Sequence, residues 1–173
     1  MVISGFLSIF TDKTNNNMGL EIERKFLILN DGYKAGVQGV EYRQGYLSTD
    51  IDRTVRVRTA GDKGFVTIKG RTQGYCREEF EYEIPFGEAC RLLDRLCIKP
   101  LIEKVRYRRA ESDGKIWEID EFRGVNAGLV LAEIELQSED ESFGRPSWLG
   151  NEVSDDPRYC NSYLATHPYS EWE

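Results

Sequence analysis

Charged and apolar residues alternate in the segment 21–26, which reads EIERKF. Glu21, Glu23 and Lys25 stand at every second position of this segment. Because a β-strand sends successive side chains to opposite faces, these three charges share one face of a strand. The alternation therefore predicts a strand with one charged face near the start of the chain.

The same two-residue spacing recurs in later segments. It is found at Arg56 and Arg58, Thr67 and Lys69, Glu79 and Glu81, Lys104 and Arg106, Glu118 and Asp120, and Glu133 and Glu135. Charged side chains pack poorly in an apolar core, since each buried ion loses several kcal/mol of hydration. Repeated on strand after strand, they are typical of the lining of a polar cavity.

Turn residues divide the chain into eight predicted strands, at 20–29, 40–49, 53–60, 63–70, 75–84, 102–110, 115–122 and 129–137. Glycine-containing turns at 61–64 and 112–114 predict antiparallel hairpins. Apolar spacing predicts an amphipathic helix over 86–96, and helical turns are predicted near 139–144 and 161–166. The expected fold is α+β: an eight-stranded antiparallel β-barrel with a charged interior, closed on itself and flanked by a few helices.

The length of 173 residues suits one domain with a sizeable core. A polar run at 12–17 follows a short apolar segment that is not a convincing signal peptide. We therefore expect a flexible N-terminal extension over residues 1–18 and a single domain over 19–173.

Composition narrows the classes of partner and chemistry. A net charge of −7 argues against nucleic-acid binding, and no apolar run is long enough to span a membrane. The four cysteines lack metal or disulfide spacing, so we expect reduced thiols in a cytoplasmic protein. His167 is the only histidine, which argues against a histidine-based zinc site or a Ser-His-Asp triad. Homodimerisation is left open.

The charges expected to point inward are nearly balanced. The acids are Glu21, Glu23, Glu79, Glu81, Asp120, Glu133 and Glu135, and the bases are Lys25, Arg56, Arg58, Lys69, Lys104 and Arg106. A dry network of this size would be a costly way to hold a fold, so water and a ligand are expected in the cavity. Carboxylates are the hard oxygen ligands that Mg²⁺ or Mn²⁺ prefers, and arginine and lysine bind phosphate oxygens. The pattern predicts a metal-dependent polyphosphate site.

Several of these segments also carry a family resemblance. They are EIERK at 21–25, RQGYL at 43–47, VRVR at 55–58, TIK at 67–69, REEFE at 77–81, EKVRY at 103–107, WEIDEF at 117–122 and AEIE at 132–135. In this order, over about residues 19–166, the chain resembles the short bacterial type of the triphosphate tunnel metalloenzymes, the CYTH superfamily.

The resemblance implies an eight-stranded tunnel that binds a triphosphate-containing substrate with Mg²⁺ or Mn²⁺. It implies metal ligation by Glu21, Glu23 and one or both of Glu133 and Glu135, with Asp120 helping a second ion. It implies phosphate binding by Lys25, Arg56, Arg58, Lys69 and Arg106. Lys104 would orient or deprotonate the attacking water, helped by a pKa that neighbouring arginines lower. Glu79 and Glu81 would orient the basic residues or complete a metal shell.

The expected reaction is hydrolysis of inorganic triphosphate to diphosphate and phosphate. Thiamine triphosphate, a nucleoside triphosphate, or cyclisation of ATP as in class IV adenylate cyclases would use the same phosphate clamp. A non-catalytic polyphosphate-binding module is a further alternative. The pairs Glu21/Glu23 and Glu133/Glu135 argue against that module, because binding alone does not require so many metal ligands.

Overall fold

The computed structural model describes residues 22–50, 52–71, 78–138 and 140–172. These residues form nine strands: β1 (Ile22–Ile28), β2 (Gly39–Ser48), β3 (Arg53–Ala60), β4 (Lys63–Gly70), β5 (Glu79–Ile84), β6 (Ile102–Ala110), β7 (Ile116–Phe122), β8 (Val130–Leu136) and β9 (Leu149–Glu152). Two helices accompany them, α1 (Phe86–Arg95) and α2 (Asn161–Leu164). Short 3₁₀ turns lie at Asp31–Lys34, Gly124–Asn126, Pro157–Tyr159 and Tyr169–Glu171.

The nine described strands form one antiparallel sheet, in the order β5-β4-β3-β2-β6-β7-β8-β1-β9. The β3–β4 hairpin turns at Gly61, whose φ of 58° lies in the left-handed region that a side chain disfavours. This tight turn sets the register of β3 against β4. The register then decides which face of the sheet each charge occupies.

The outer face of the sheet carries most of the apolar core. Phe26, Trp117 and Trp148 pack edge to face, with ring centroids 5.5 Å apart for Phe26–Trp117 and 5.6 Å for Trp117–Trp148. Farther along this face, α1 buries Ala89 and Leu93 against β3 and β4. Hydrophobic burial on this face leaves the inner face free for polar side chains.

The inner face holds a smaller apolar cluster at one end. Tyr46 of β2, Ile102 of β6, Phe122 of β7 and Leu131 of β8 join it, together with Leu164 of α2. Partly buried Leu27 adds β1 to the same cluster. Since these five strands are consecutive in the sheet and meet in one cluster, the sheet curves around it. The inner face is therefore concave.

The α+β class, the antiparallel sheet and the flanking helices are confirmed, but the strand count and the closure are wrong. The missed strand is β9, which pairs along β1 and takes the edge that closure would need. The described sheet is therefore open, with β5 and β9 at its edges. At Gly150 a Cβ atom would lie 2.8 Å from the carbonyl oxygen of Leu27, so glycine permits the close approach of β9.

The helical turn predicted near 139–144 is also wrong for the described residues 140–144, which are turn and irregular structure. There the Glu141 carboxylate accepts hydrogen bonds from Lys115 and from the backbone N–H of Gln137. These side-chain bonds tie the segment to Lys115 and Gln137 in a conformation that is not helical. The helical turn predicted at 161–166 is present as α2.

Some sequence-based expectations fall on residues that lie outside the described ranges. The extension 1–18, the metal ligand Glu21 and Cys76 are among them. Within the described ranges, no helix combines the length and the apolar character needed to cross a membrane.

Candidate active site

The charged residues of the concave face fall into two groups joined by a centre. We call Arg56, Arg58 and Lys69, with Glu79 and Glu81, the arginine wall; it lies on β3, β4 and β5. We call Glu23, Lys25, Glu133 and Glu135 the carboxylate wall; it lies on β1 and β8. The centre, on β6 and β7, consists of Lys104, Arg106 and Asp120. The structure thus places all the described site residues predicted from the sequence on one face.

The arginine wall is built around Glu81. Its carboxylate accepts hydrogen bonds from Arg58 Nη2 at 3.0 Å, from Arg56 Nη2 at 3.3 Å and from the Thr67 hydroxyl at 2.8 Å. Beside it, Lys69 Nζ lies 2.7 Å from Glu79. Both glutamates therefore contact basic side chains, which favours the orienting role over a metal shell.

Two donors of the arginine wall have no acceptor. The Nε atoms of Arg56 and Arg58 are buried and make no hydrogen bond within the described part of the chain. Burial lowers the pKa of Arg56, and the positive charge of Arg58 lowers it further. A buried donor without a partner is costly, so both guanidinium groups are suited to an oxyanion such as phosphate.

The centre is the most deeply buried part of the site. The Lys104 side chain is only 2% exposed, and its Nζ lies 2.5 Å from Asp120 Oδ2. Arg106 donates two hydrogen bonds of 2.6 Å to the same carboxylate, from Nε to Oδ1 and from Nη2 to Oδ2. Asp120 thus holds two cations in place.

Burial and charge act in opposite directions on these groups. Burial lowers the pKa of Lys104, and the attraction of Asp120 does not cancel this effect. Burial alone would raise the pKa of Asp120, but Lys104 and Arg106 lower it to about 2. Arg106 also lowers the pKa of Lys104, as expected from the sequence, yet burial is the larger cause.

Lys25 bridges two glutamates of the carboxylate wall. Lys25 Nζ lies 2.5 Å from Glu23 and 2.8 Å from Glu133, and Arg106 Nη2 lies 3.1 Å from Glu133. Burial, the largest single cause, would raise the pKa of Glu133, but the charges of Lys25, Lys104 and Arg106 together outweigh it, and the pKa is lowered. Glu133 is therefore an ionised carboxylate at neutral pH.

Glu135 differs from the other carboxylates of this wall. It is the direct cross-strand partner of Glu23, and no lysine or arginine of the described ranges pairs with it. Like charges directly opposite each other destabilise a strand pair, so this position favours a bound cation. Although no described cluster of three potential ligands is preassembled, these hard oxygen donors fit Mg²⁺ or Mn²⁺. Asp120, by contrast, is already engaged by Lys104 and Arg106.

Comparison with known proteins identifies the family of the chain. A family model described as the CYTH domain matches residues 19–160. The chain belongs to the CYTH domain family. A protein of Acetivibrio thermocellus named inorganic triphosphatase is 53% identical over 156 residues, covering 90% of this chain and 99% of the relative.

A second CYTH relative, from Nitrosomonas europaea, has the same name. It is 39% identical over 150 residues, covering 84% of this chain and 96% of the relative. The crystal structure of the inorganic triphosphatase NE1496 superposes with a TM-score of 0.63 at 37% identity, covering 84% of this chain and 93% of that chain. Sequence and fold therefore agree on the family.

Some residues of this CYTH site were not among the site residues predicted from the sequence. The spacing of Glu118 with Asp120 was recognised, but Glu118 was not assigned to the site; it lies on the concave face and pairs with Arg106. Thr67 is fully buried between Arg56 and Glu81. Tyr42 and Gln44 of β2 lie between the two walls, and only the register of β2 against β3 and β6 reveals this.

Proposed function

We propose that this CYTH protein hydrolyses inorganic triphosphate to diphosphate and phosphate, with Mg²⁺ or Mn²⁺ as cofactor. The names of the two curated relatives, at 53% and 39% identity, support the substrate. The observation that carries the proposal is the pairing of two features on one concave face. These are the unpartnered Nε donors of Arg56 and Arg58, and the opposed carboxylates of Glu23 and Glu135.

In this proposal the arginine wall binds the phosphates. The guanidinium groups of Arg56 and Arg58 donate to phosphate oxygens through the Nε–H groups that lack an acceptor. Lys69 adds a point charge, and Glu79 and Glu81 hold these cations in orientation. Lys25 and Arg106 extend the positive charge toward the carboxylate wall.

Glu23 and Glu135, together with Glu133 and Glu21, would hold the metal ion. When bound, the ion would neutralise negative charge on the phosphate oxygens. Lys25 fixes Glu23 and Glu133, because its ammonium group contacts both carboxylates, and its charge helps to keep Glu133 ionised. Asp120 would assist a second ion only if its bonds to Lys104 and Arg106 were rearranged, so we assign it to positioning those two bases.

We assign the attacking water to Lys104, which the ligand would have to reach at the buried centre of the site. The water oxygen bonds to a terminal phosphorus, the bridging P–O bond breaks, and diphosphate leaves with that bridging oxygen. The water also gives up a proton, and a neutral Lys104 amine would accept it. Burial, which lowers the pKa of Lys104, makes the neutral amine more accessible than it is in a solvated lysine.

A panel of substrates tests the proposal. Purified protein is incubated with inorganic triphosphate, thiamine triphosphate or ATP, each with Mg²⁺, with Mn²⁺ or with EDTA. Phosphate, diphosphate and cyclic AMP are then measured. We expect phosphate and diphosphate from inorganic triphosphate with either metal, and none with EDTA. Cyclic AMP from ATP would instead indicate a cyclase, faster cleavage of an organic triphosphate would change the substrate, and no product from any of them would indicate a binding module.

A further inference from the structure

Tyr42 occupies the gap between the arginine wall and the centre of the site. It lies on β2, opposite Lys104 of β6 on one side and Ala60 of β3 on the other. Its side chain is on the same face as Arg58 and Arg106 and is partly buried. None of the roles described above uses this residue.

The ring of Tyr42 contacts two guanidinium groups. The Cζ atom of Arg58 lies 5.9 Å from the ring centroid, and the Cζ atom of Arg106 lies 5.4 Å from it. Both distances are within the range in which an aromatic face attracts a cation. Arg58 also lies 5.1 Å from the ring of Phe65, so two aromatic rings contact it.

The two arginines depend on the ring to different extents. Arg106 is fixed by Asp120, Glu118 and Glu133. For Arg58, the described residues provide one carboxylate bond, to Glu81, and its Nε has no acceptor. The orientation of Arg58 therefore depends on its two aromatic neighbours as well as on Glu81.

There is open space on the other side of the Tyr42 ring, beside Arg106. A cavity of about 200 Å³ is lined by Val37, Gln38, Val40, Tyr42, Arg106 and Arg108. A side chain smaller than tyrosine would enlarge this cavity toward the arginine wall. The Arg58 guanidinium would then lose one of its two aromatic contacts.

We propose that Tyr42 is a positioning residue for triphosphate binding, and that its aromatic ring holds Arg58 in the orientation that receives a phosphate. The inference rests on the proposed function, because it assigns Arg58 to the substrate. The ring carries the effect, so the hydroxyl group is dispensable.

The test measures binding without turnover. Isothermal titration calorimetry with inorganic triphosphate, in EDTA, compares the wild-type protein with Tyr42→Leu and Tyr42→Phe. We expect Tyr42→Leu to weaken binding about 5- to 30-fold and Tyr42→Phe to bind within about twofold of wild type. Tyr82→Leu is the matched control, because Tyr82 is an exposed tyrosine whose strand partner Val66 packs on the outer face. It should leave binding unchanged.

A double-mutant cycle shows whether Tyr42 acts through Arg58. In an Arg58→Ala background, Tyr42→Leu should weaken binding by less than about twofold, since the group that it positions is gone. With metal present, Tyr42→Leu should raise KM and leave kcat within about threefold. A general structural defect would lower the thermal midpoint as well, so far-UV circular dichroism melts accompany each variant.

Several results would overturn the inference. They are wild-type binding by Tyr42→Leu, an equal loss in Tyr42→Phe, full additivity in the Arg58→Ala background, or no triphosphate binding by the wild-type protein in EDTA. The proposed hydrolysis is judged separately, by phosphate release from the wild-type protein when Mg²⁺ or Mn²⁺ is added. A weak Tyr42→Leu variant with no wild-type hydrolysis would therefore support the inference and reject the activity.

Discussion

Lys104 is a lysine that water hardly reaches, yet its ammonium group lies 2.5 Å from a carboxylate. Burial disfavours the charged amine, whereas Asp120 favours it, and burial has the larger effect on the pKa. A lysine in this balance is suited to exchange a proton during a reaction. Arg106 provides the permanent charge beside it, so the site keeps a cation even when Lys104 is neutral.

Replacing Lys104 tests its catalytic role. Lys104→Ala should bind triphosphate in EDTA with nearly wild-type affinity, because the arginine wall is untouched. Its kcat should fall by about 100-fold or more, the usual cost of losing a positioned acid or base. Calorimetry and phosphate-release kinetics measure the two quantities. Lys34→Ala, outside the concave face, is the control; an unchanged kcat in Lys104→Ala would remove this residue from the mechanism.

Replacing Glu135 tests whether this residue binds the metal ion. Glu135→Gln removes one charge from the opposed pair with Glu23 and leaves the size of the side chain unchanged. We expect the Mg²⁺ or Mn²⁺ concentration for half-maximal activity to rise about tenfold, which corresponds to ~1.4 kcal/mol of metal binding. Titrating phosphate release against metal concentration measures this. Glu88→Gln, in the first turn of α1, should not shift the curve, and an identical curve for Glu135→Gln would argue against ligation.

At the scale of elements, α1 supports the arginine wall from behind. It packs against β3 and β4 through Ala89 and Leu93, on the face opposite the charges. A Cβ atom at Gly64 would lie 2.6 Å from the Cβ of Ala89, so a small residue lets the helix lie close to β4. The position of Arg56 and Arg58 is therefore coupled to the packing of this helix.

A core substitution in α1 measures that support. Leu93 is fully buried, and Leu93→Ala should lower the free energy of unfolding by about 2–5 kcal/mol. Leu96 at the end of the same helix is 65% exposed, so Leu96→Ala should change it by less than about 0.5 kcal/mol. Urea unfolding compares the two variants. Equal effects would mean that α1 is not anchored as described.

The elements also show what the sequence could predict. Alternation is a local property of each strand, so it placed Arg56 with Arg58 on one face of β3, and Lys104 with Arg106 on one face of β6, without knowledge of the partner strands. Strand β9 has four residues, including Gly150 and Asn151, and its alternation is too short to recognise. Because β9 was not recognised, the closed barrel was also predicted wrongly. Strand β9 occupies the free side of β1 that closure would need.

The candidate site was predictable to a similar extent. The residue types and their spacing indicated phosphate and metal binding, but not which charges would pair. Asp120 contacts Lys104 and Arg106, and Tyr42 reaches Arg58, only because of the register between β2, β3, β6 and β7. Register depends on the whole sheet, so these pairings could not be deduced one strand at a time.

For the whole molecule, the buried charges make stability depend on pH. The pKa of Asp120 is lowered to about 2, and the pKa of the buried Glu133 is also lowered. In the unfolded chain such carboxylates bind protons near pH 4. The unfolded state therefore gains protons first as the pH falls, and the stability that these groups provide is lost between about pH 5 and pH 2.

We expect the free energy of unfolding to fall by about 2 kcal/mol or more between pH 7 and pH 3. Urea titrations at a series of pH values measure it. The buried pairs are poorly screened, so the loss should persist at high salt. A free energy of unfolding that is constant over this range would contradict the described ion pairs.

Other whole-molecule expectations remain predictions: the single domain over 19–173, cytoplasmic location, the absence of a nucleic-acid partner, and homodimerisation, which stays open. The central claim is more specific. It holds that the arginine wall and the carboxylate wall act on one ligand, within the concave face of one sheet.

A crystal structure of the protein with inorganic triphosphate and Mn²⁺ tests this claim most directly, with diffraction data collected at the manganese absorption edge. The account predicts an anomalous peak beside Glu23 and Glu135, with phosphate oxygens accepting from the Nε–H groups of Arg56 and Arg58. Triphosphate bound outside the concave face, or manganese remote from Glu23 and Glu135, would contradict it.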